Sequence, residues 1–160
     1  MPVTFRPAEE KDTALLLSFI RALAEYERML DDVVATEEIL NEWLFDRRVA
    51  EAFFALEGET EVGFALYFQN FSTFLGRGGI YLEDLFVLPE HRGKGYGKAI
   101  LARLAQITRE RGCGRLEWAC LDWNQPSIDL YLSLGAERMN EWRVYRVSGD
   151  ALHALANITD

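Results

Sequence analysis

Leu85-Phe86-Val87-Leu88-Pro89-Glu90-His91-Arg92-Gly93-Lys94-Gly95-Tyr96-Gly97-Lys98 joins an apolar strand-like run to a helical one. Three glycines within five residues free the backbone to approach a ligand closely. The first N–H groups of the helix that follows have no acceptor inside it. Helix polarity adds positive potential at that end, and Arg92, Lys94 and Lys98 surround it, so Arg92, Gly93, Lys94, Gly95, Tyr96, Gly97 and Lys98 form a cradle suited to phosphate or pyrophosphate. A purely geometric strand-to-helix turn is the alternative.

Two commoner phosphate motifs do not fit these letters. A nucleotide P-loop ending in Gly97-Lys98 needs glycine at Arg92 and serine or threonine at Ala99. A dinucleotide fingerprint begun at Gly93 and Gly95 needs glycine where Lys98 stands.

Outward from the turn, Ile100, Leu101, Leu104 and Ile107 recur at helical spacing from Gly95 to Arg111, and Gly112 suits a left-handed cap. Upstream, Ile80 to Leu88 is an apolar run interrupted by Glu83 and Asp84, which predicts a central strand carrying two acids. Ser72 to Gly79 reads as a loop. Val49 to Leu56 and Glu61 to Gln69 predict an antiparallel hairpin. Val3 to Arg6 reads as a first strand, Glu9 to Met29 as a long amphipathic helix, and Glu37 to Phe45 as a second helix capped by Thr36. After the turn come a strand over Arg115 to Leu121, a short helix capped by Asn124, a last strand around Arg138 to Val147, and a terminal helix from Gly149. This order predicts an α/β fold: one domain, 1–160, with a mixed sheet and helices on both faces.

The chain of 160 residues is 49% hydrophobic and 27% charged, enough for one core. A formal net charge of -9 argues against nucleic acid or anionic lipid as partner and suits a cationic substrate, although acidity also serves solubility alone. No signal segment or membrane span is read at the N-terminus, so a cytoplasmic location is expected. Cys113, Cys120, His91 and His153 lack metal-ligand spacing, and no metal is expected.

The string Arg92-x-x-Gly95-x-Gly97, preceded by Leu85 to Pro89, resembles the coenzyme A pyrophosphate motif of the GNAT superfamily of N-acetyltransferases. The resemblance continues through Asn124-Gln125-Pro126-Ser127 and Tyr131. Tyr26-Glu27, Tyr81-Leu82-Glu83-Asp84 and Leu121-Asp122-Trp123-Asn124-Gln125 are similar to its diamine acetyltransferase branch, which includes spermidine/spermine and thialysine enzymes. Ser72-Thr73 resembles the thialysine type. The resemblance implies a GNAT fold with a mostly antiparallel, twisted sheet, and acetyl-CoA as donor, its pantetheine arm paired with Leu85, Phe86 and Val87 and its contacts extended by Asn124, Ser127 and Tyr131. It further implies amine-binding residues Tyr26, Glu27, Glu83, Glu117, Trp118 and Ala119, and a homodimer.

The chemistry constrains the roles. A lysine-like amine has a pKa of about 10.4, so near pH 7 roughly 4 in 10,000 molecules are neutral, which adds about 4.6 kcal/mol to the barrier. Glu83, an acid among apolar strand neighbours, is the expected base, directly or through water; a structural ion pair is its alternative. In a regular strand Asp84 faces away from Glu83, unless a bulge intervenes. Tyr131 lies one helical turn after Ser127, and in the resembled family a tyrosine here protonates the leaving thiolate; covering the core is its alternative role. Acyl transfer through Cys120 is disfavoured because no histidine lies nearby in the sequence. The expected reaction is direct attack by a small diamine, polyamine or lysine analogue. A non-catalytic acyl-CoA-binding module and a peptide acetyltransferase are the alternatives, the latter disfavoured if the loop Asn70 to Gly79 closes over the site.

Overall fold

The computed structural model describes residues 2–159, in two compact units, Met1–Asn124 and Gln125–Asp160. In the first unit the order is β1 (Val3–Pro7), α1 (Thr13–Tyr26), α2 (Glu37–Asn41), β2 (Glu51–Glu57), β3 (Thr60–Ser72), β4 (Arg77–Val87), α3 (Tyr96–Glu110) and β5 (Leu116–Trp118). Thr36 caps α2 as expected, its Oγ1 accepting from the Ile39 N–H at 3.2 Å. The second helix then widens into a π-turn over Glu42–Asp46.

The strands lie in the order β1-β2-β3-β4-β5. The first four are antiparallel, and β5 alone runs parallel to β4. A parallel neighbour needs a crossover connection, and α3 supplies it. On one face Leu16, Phe19, Phe54, Phe64, Leu66 and Phe86 form a buried cluster under α1. Phe19 lies 5.8 Å from Phe54 and 5.3 Å from Phe64. The other face receives Ile100, Leu101, Leu104 and Ile107 of α3, all buried. The expected mixed sheet with helices on both faces is therefore present.

Two local readings change. The loop expected over Ser72 to Gly79 shrinks to a turn over 73–76: β3 and β4 pair out to Ser72↔Arg77, with Gly79 opposite Asn70 and Gly78 opposite Phe71. Ser72 is buried, and its Oγ accepts from the Leu75 N–H at 3.2 Å, capping the hairpin turn. Asn70 to Gly79 thus forms the end of a hairpin and not a long closing loop.

The second unit holds α4 (Gln125–Ser133) and α5 (Gly149–Ala156). The strand expected around Arg138 to Val147 does not form. A turn, with the Trp142 N–H donating to Met139 O at 3.2 Å, interrupts it. A strand needs a ladder partner, and among the described residues this unit has no other strand.

Candidate active site

The site is built around β4. From Ile80 to Leu82 this strand pairs with β5, but β5 ends at Trp118 while β4 runs on to Val87. Among the described residues no strand pairs with 83–87 on that side, which opens a split in the sheet beside Leu85, Phe86 and Val87. Extended backbone without a neighbouring strand can accept an amide-bearing chain as an added strand.

The register of β3 against β4 slips at the acids. Leu66 pairs with Asp84, while Tyr67 pairs with Leu82, leaving Glu83 as an extra residue in a β-bulge. The alternation that separates Glu83 from Asp84 in a regular strand therefore fails. Asp84 shares the α1 face with its partner Leu66 and with Phe86, whereas Leu82 faces α3. Burial falls on the acid not singled out by sequence. Glu83 is exposed and Asp84 is half-buried. Desolvation, reinforced by Glu83 and Glu27, pushes the Asp84 carboxyl up to about 7. Glu27, which follows α1 directly, is also raised by burial.

Tyr26 closes this side. Its Oη donates to Asn124 Oδ1 at 3.1 Å, and its ring lies 6.1 Å from Phe86 and 5.9 Å from Trp123. Asn124 is buried, and through this hydrogen bond its side chain ties the motif segment to the end of α1. Glu117 stands opposite Tyr81 and next to Trp118 in β5, with Arg115 Nε 3.2 Å from its carboxylate. Ala119 is exposed just beyond.

The glycine turn has the expected shape. Gly93 and Gly95 take left-handed φ values of 78° and 83°, and a Cβ placed at either would meet nothing within 4 Å. Their surroundings are open, and the need for glycine lies in the backbone conformation. The turn delivers the chain into α3, where Tyr96, Gly97 and Lys98 present the first-turn N–H groups. This open cradle on a 15-residue helix, together with the split beside β4, fits a pyrophosphate and its attached pantetheine arm.

Arg92 and Lys94 are not free cations. Arg92 stacks over Tyr26 at 4.5 Å and Phe86 at 5.1 Å, and its Nε donates to Val87 O at 3.2 Å. Lys94 Nζ donates to Glu57 Oε2 at 3.0 Å. Tyr96 is buried, and its hydroxyl donates to the same oxygen at 2.6 Å, so it acts as an anchor of the turn. Nothing in the sequence around Glu57 marks it as part of this region. Ser127 and Tyr131 lie four positions apart on α4, in the second unit, and so share a helix face.

A bulged acid pair at a split sheet and a glycine-led helix on the same strand's continuation define an acyl-transfer scaffold. The profile of the Acetyltransferase (GNAT) family matches residues 16–136, and the chain belongs to that family. It is 39% identical over 166 residues to thialysine N-epsilon-acetyltransferase of Bos taurus, covering 96% of this chain and 97% of that one. It is 43% identical over 93 residues to L-ornithine N5-acetyltransferase NATA1 of Arabidopsis thaliana, covering 58% of this chain and 41% of that one. Among solved structures it is similar to an integron cassette protein from the mobile metagenome of V. cholerae, with a TM-score of 0.81, 29% identity and 99% of each chain covered. The fold and chemistry are those of an N-acetyltransferase, and the enzymes of this family use acetyl-CoA as donor.

Proposed function

We propose that the chain acetylates a terminal primary amine of a small diamine, polyamine or lysine analogue such as thialysine, by direct attack on acetyl-CoA in a ternary complex. The observation that carries this reading is the acid group of Glu27, Glu83 and Asp84, in which burial, reinforced by the neighbouring acids, raises Asp84 to about 7. An ammonium group relieves that repulsion on binding, and a carboxylate with a pKa near neutrality is an effective acceptor of its proton. The relatives' thialysine and L-ornithine, both amines on a short aliphatic chain, have the corresponding charge.

In the reaction the amine nitrogen bonds to the acetyl carbon, the carbon–sulfur bond breaks, and the released proton passes to the Glu83–Asp84 pair. Glu83 receives it directly or through water in the reading from the motif. The desolvation of Asp84 favours that residue as the acceptor. Tyr131 returns a proton to the leaving thiolate, a role that rests on the motif shared with the family. Arg92, Gly93, Lys94, Gly95, Tyr96, Gly97 and Lys98 form the pyrophosphate turn, Leu85, Phe86 and Val87 line the pantetheine arm, and Asn124 and Ser127 are assigned to the donor by the motif shared with the family. Tyr26, Glu27, Glu117, Trp118 and Ala119 line the amine site.

The same reading takes residues 1–160 as one functional domain, supported by a family match that crosses the boundary at Asn124. It also makes the enzyme a cytoplasmic homodimer. Support for pairing comes from the resemblance of Tyr26-Glu27 and Tyr81-Leu82-Glu83-Asp84 to the diamine acetyltransferase branch.

Thiol release from acetyl-CoA against thialysine, ornithine, lysine, spermidine and short peptides is the deciding experiment. Saturation by one of the small amines, with peptides at least about 10-fold poorer in kcat/KM, is the expected result. Preference for peptide would overturn it.

A further inference from the structure

Gly93 and Gly95 give the turn its shape but no stiffness, since glycine loses the most conformational freedom on ordering. Something outside the turn must hold it. Glu57, the last residue of β2, lies 34 to 39 positions before the residues it meets there. Its Oε2 accepts from Tyr96 Oη at 2.6 Å and Lys94 Nζ at 3.0 Å, and lies 3.2 Å from His91 Nδ1. Lys94 Nζ is itself 3.3 Å from His91 Nδ1. One oxygen thus gathers the residue before the turn, the residue between its two left-handed glycines, and the first residue of α3. Hydrogen bonds to Tyr96 and Lys94 hold the Glu57 carboxyl down to about 2, so it remains charged throughout the range in which the enzyme works.

We infer that Glu57 is a positioning residue for the donor site, fastening the glycine turn so that its backbone N–H groups face the pyrophosphate. This rests on the proposed binding of acetyl-CoA at the turn. Pairing with Glu57 also directs Lys94 away from a free, solvent-led geometry, so the phosphates are met chiefly by backbone N–H groups already aligned. Alignment before binding lowers the ordering cost on association. Glu57 touches neither reacting group, so its effect belongs in donor affinity and not in the chemical step.

The test uses Glu57→Ala, Glu57→Gln and Glu57→Asp in the full chain. Coenzyme A affinity is measured by calorimetry, kcat and KM by thiol release, and amide hydrogen exchange is followed over 91–97. For Glu57→Ala the expected result is a rise of about tenfold in the coenzyme A Kd and the acetyl-CoA KM, with kcat at saturation within about twofold. Exchange over 91–97 should accelerate about tenfold without ligand, while β2 and β3 stay protected. Glu57→Gln, which keeps an acceptor for Tyr96, should recover part of the loss. A Kd unchanged or tighter, a fall in kcat at constant KM, or exchange that spreads through β2 and β3 would each overturn the inference. Should the unaltered protein fail to bind coenzyme A, the donor reading falls, and exchange over 91–97 alone decides whether Glu57 fastens the turn.

Discussion

Glu57 and Asp84 are carboxylates in the same sheet held under opposite conditions. Glu57 collects donors from Tyr96 and Lys94 and is drawn down to about 2; Asp84 is desolvated by burial, lies near the acids Glu83 and Glu27, and is pushed up to about 7. The first condition gives a permanent charge that can hold a flexible turn. The second gives a group that gains and loses a proton near neutrality. The difference comes from what surrounds each carboxylate: basic and phenolic side chains gather at the glycine turn, whereas a bulge presses two acids together at the split in the sheet.

The largest effect should come from removing the titrating acid. Asp84→Asn is expected to lower kcat/KM for the amine by on the order of 10²- to 10³-fold at pH 7, with the acetyl-CoA KM nearly unchanged. The wild-type rate should rise with pH through about 7, the value to which burial raises Asp84, and Asp84→Asn should lose that rise. A variant that keeps the wild-type profile would place the base elsewhere, and Glu83→Gln then becomes the informative replacement. Pairing Asp84→Asn with Glu57→Ala sharpens the contrast, because one should act on turnover and the other on donor affinity.

The same acid should cost stability, with a sign opposite to that of most carboxylates. The folded pKa of Asp84 lies above its unfolded value of 3.8, so its contribution is fully present below about pH 4 and is lost as pH rises through about 7. Above that point the loss is on the order of 4 kcal/mol. Asp84→Asn should therefore raise the urea midpoint at pH 8 and change it little at pH 4. Equal effects at both values would show that Asp84 is not held protonated by the fold. Asp12 makes the useful control, because Arg6, at 2.8 and 3.0 Å, keeps it below the usual carboxylate range and its contribution fades as pH falls.

The donor side was far more legible in the sequence than the acceptor side. Glycine at positions 93, 95 and 97 announces a turn because few residues tolerate the left-handed backbone seen at Gly93 and Gly95, and the helical period of Ile100, Leu101, Leu104 and Ile107 survives unchanged into α3. Glu83 and Asp84 carry no such mark. Alternation assumes a constant register, and one extra residue opposite Leu66 and Tyr67 reverses which acid meets the α1 face. Gly78 and Gly79, inside the stretch that reads as a loop, belong to β4. A Cβ at Gly78 would come within 2.8 Å of Gln69 Nε2, and one at Gly79 within 2.6 Å of Asn70 Oδ1, so these glycines serve close packing inside a hairpin. The stretch Arg138 to Val147 shows the converse: favourable residues form no strand where their own unit, among the described residues, holds no other strand.

The smallest of these effects concerns the residue that joins the two regions. Arg92 belongs to the glycine turn, yet its guanidinium lies 4.5 Å over Tyr26 and 5.1 Å over Phe86, on the amine side. Arg92→Lys keeps the charge but loses the flat group that stacks on both rings and the Nε that donates to Val87 O. A lost stack at an exposed site is worth about 0.5–1 kcal/mol, which corresponds to a rise of roughly two- to fivefold in a dissociation constant. The coenzyme A Kd should show that rise, and the amine KM should move in the same direction by about twofold, because Tyr26 loses its backing beside Glu27. If only the donor constant moves, the two regions are energetically separate and Tyr26 is held by Asn124, Trp123 and Phe86 without Arg92. If both move together, Arg92 couples the permanently charged end of the site to the titrating one.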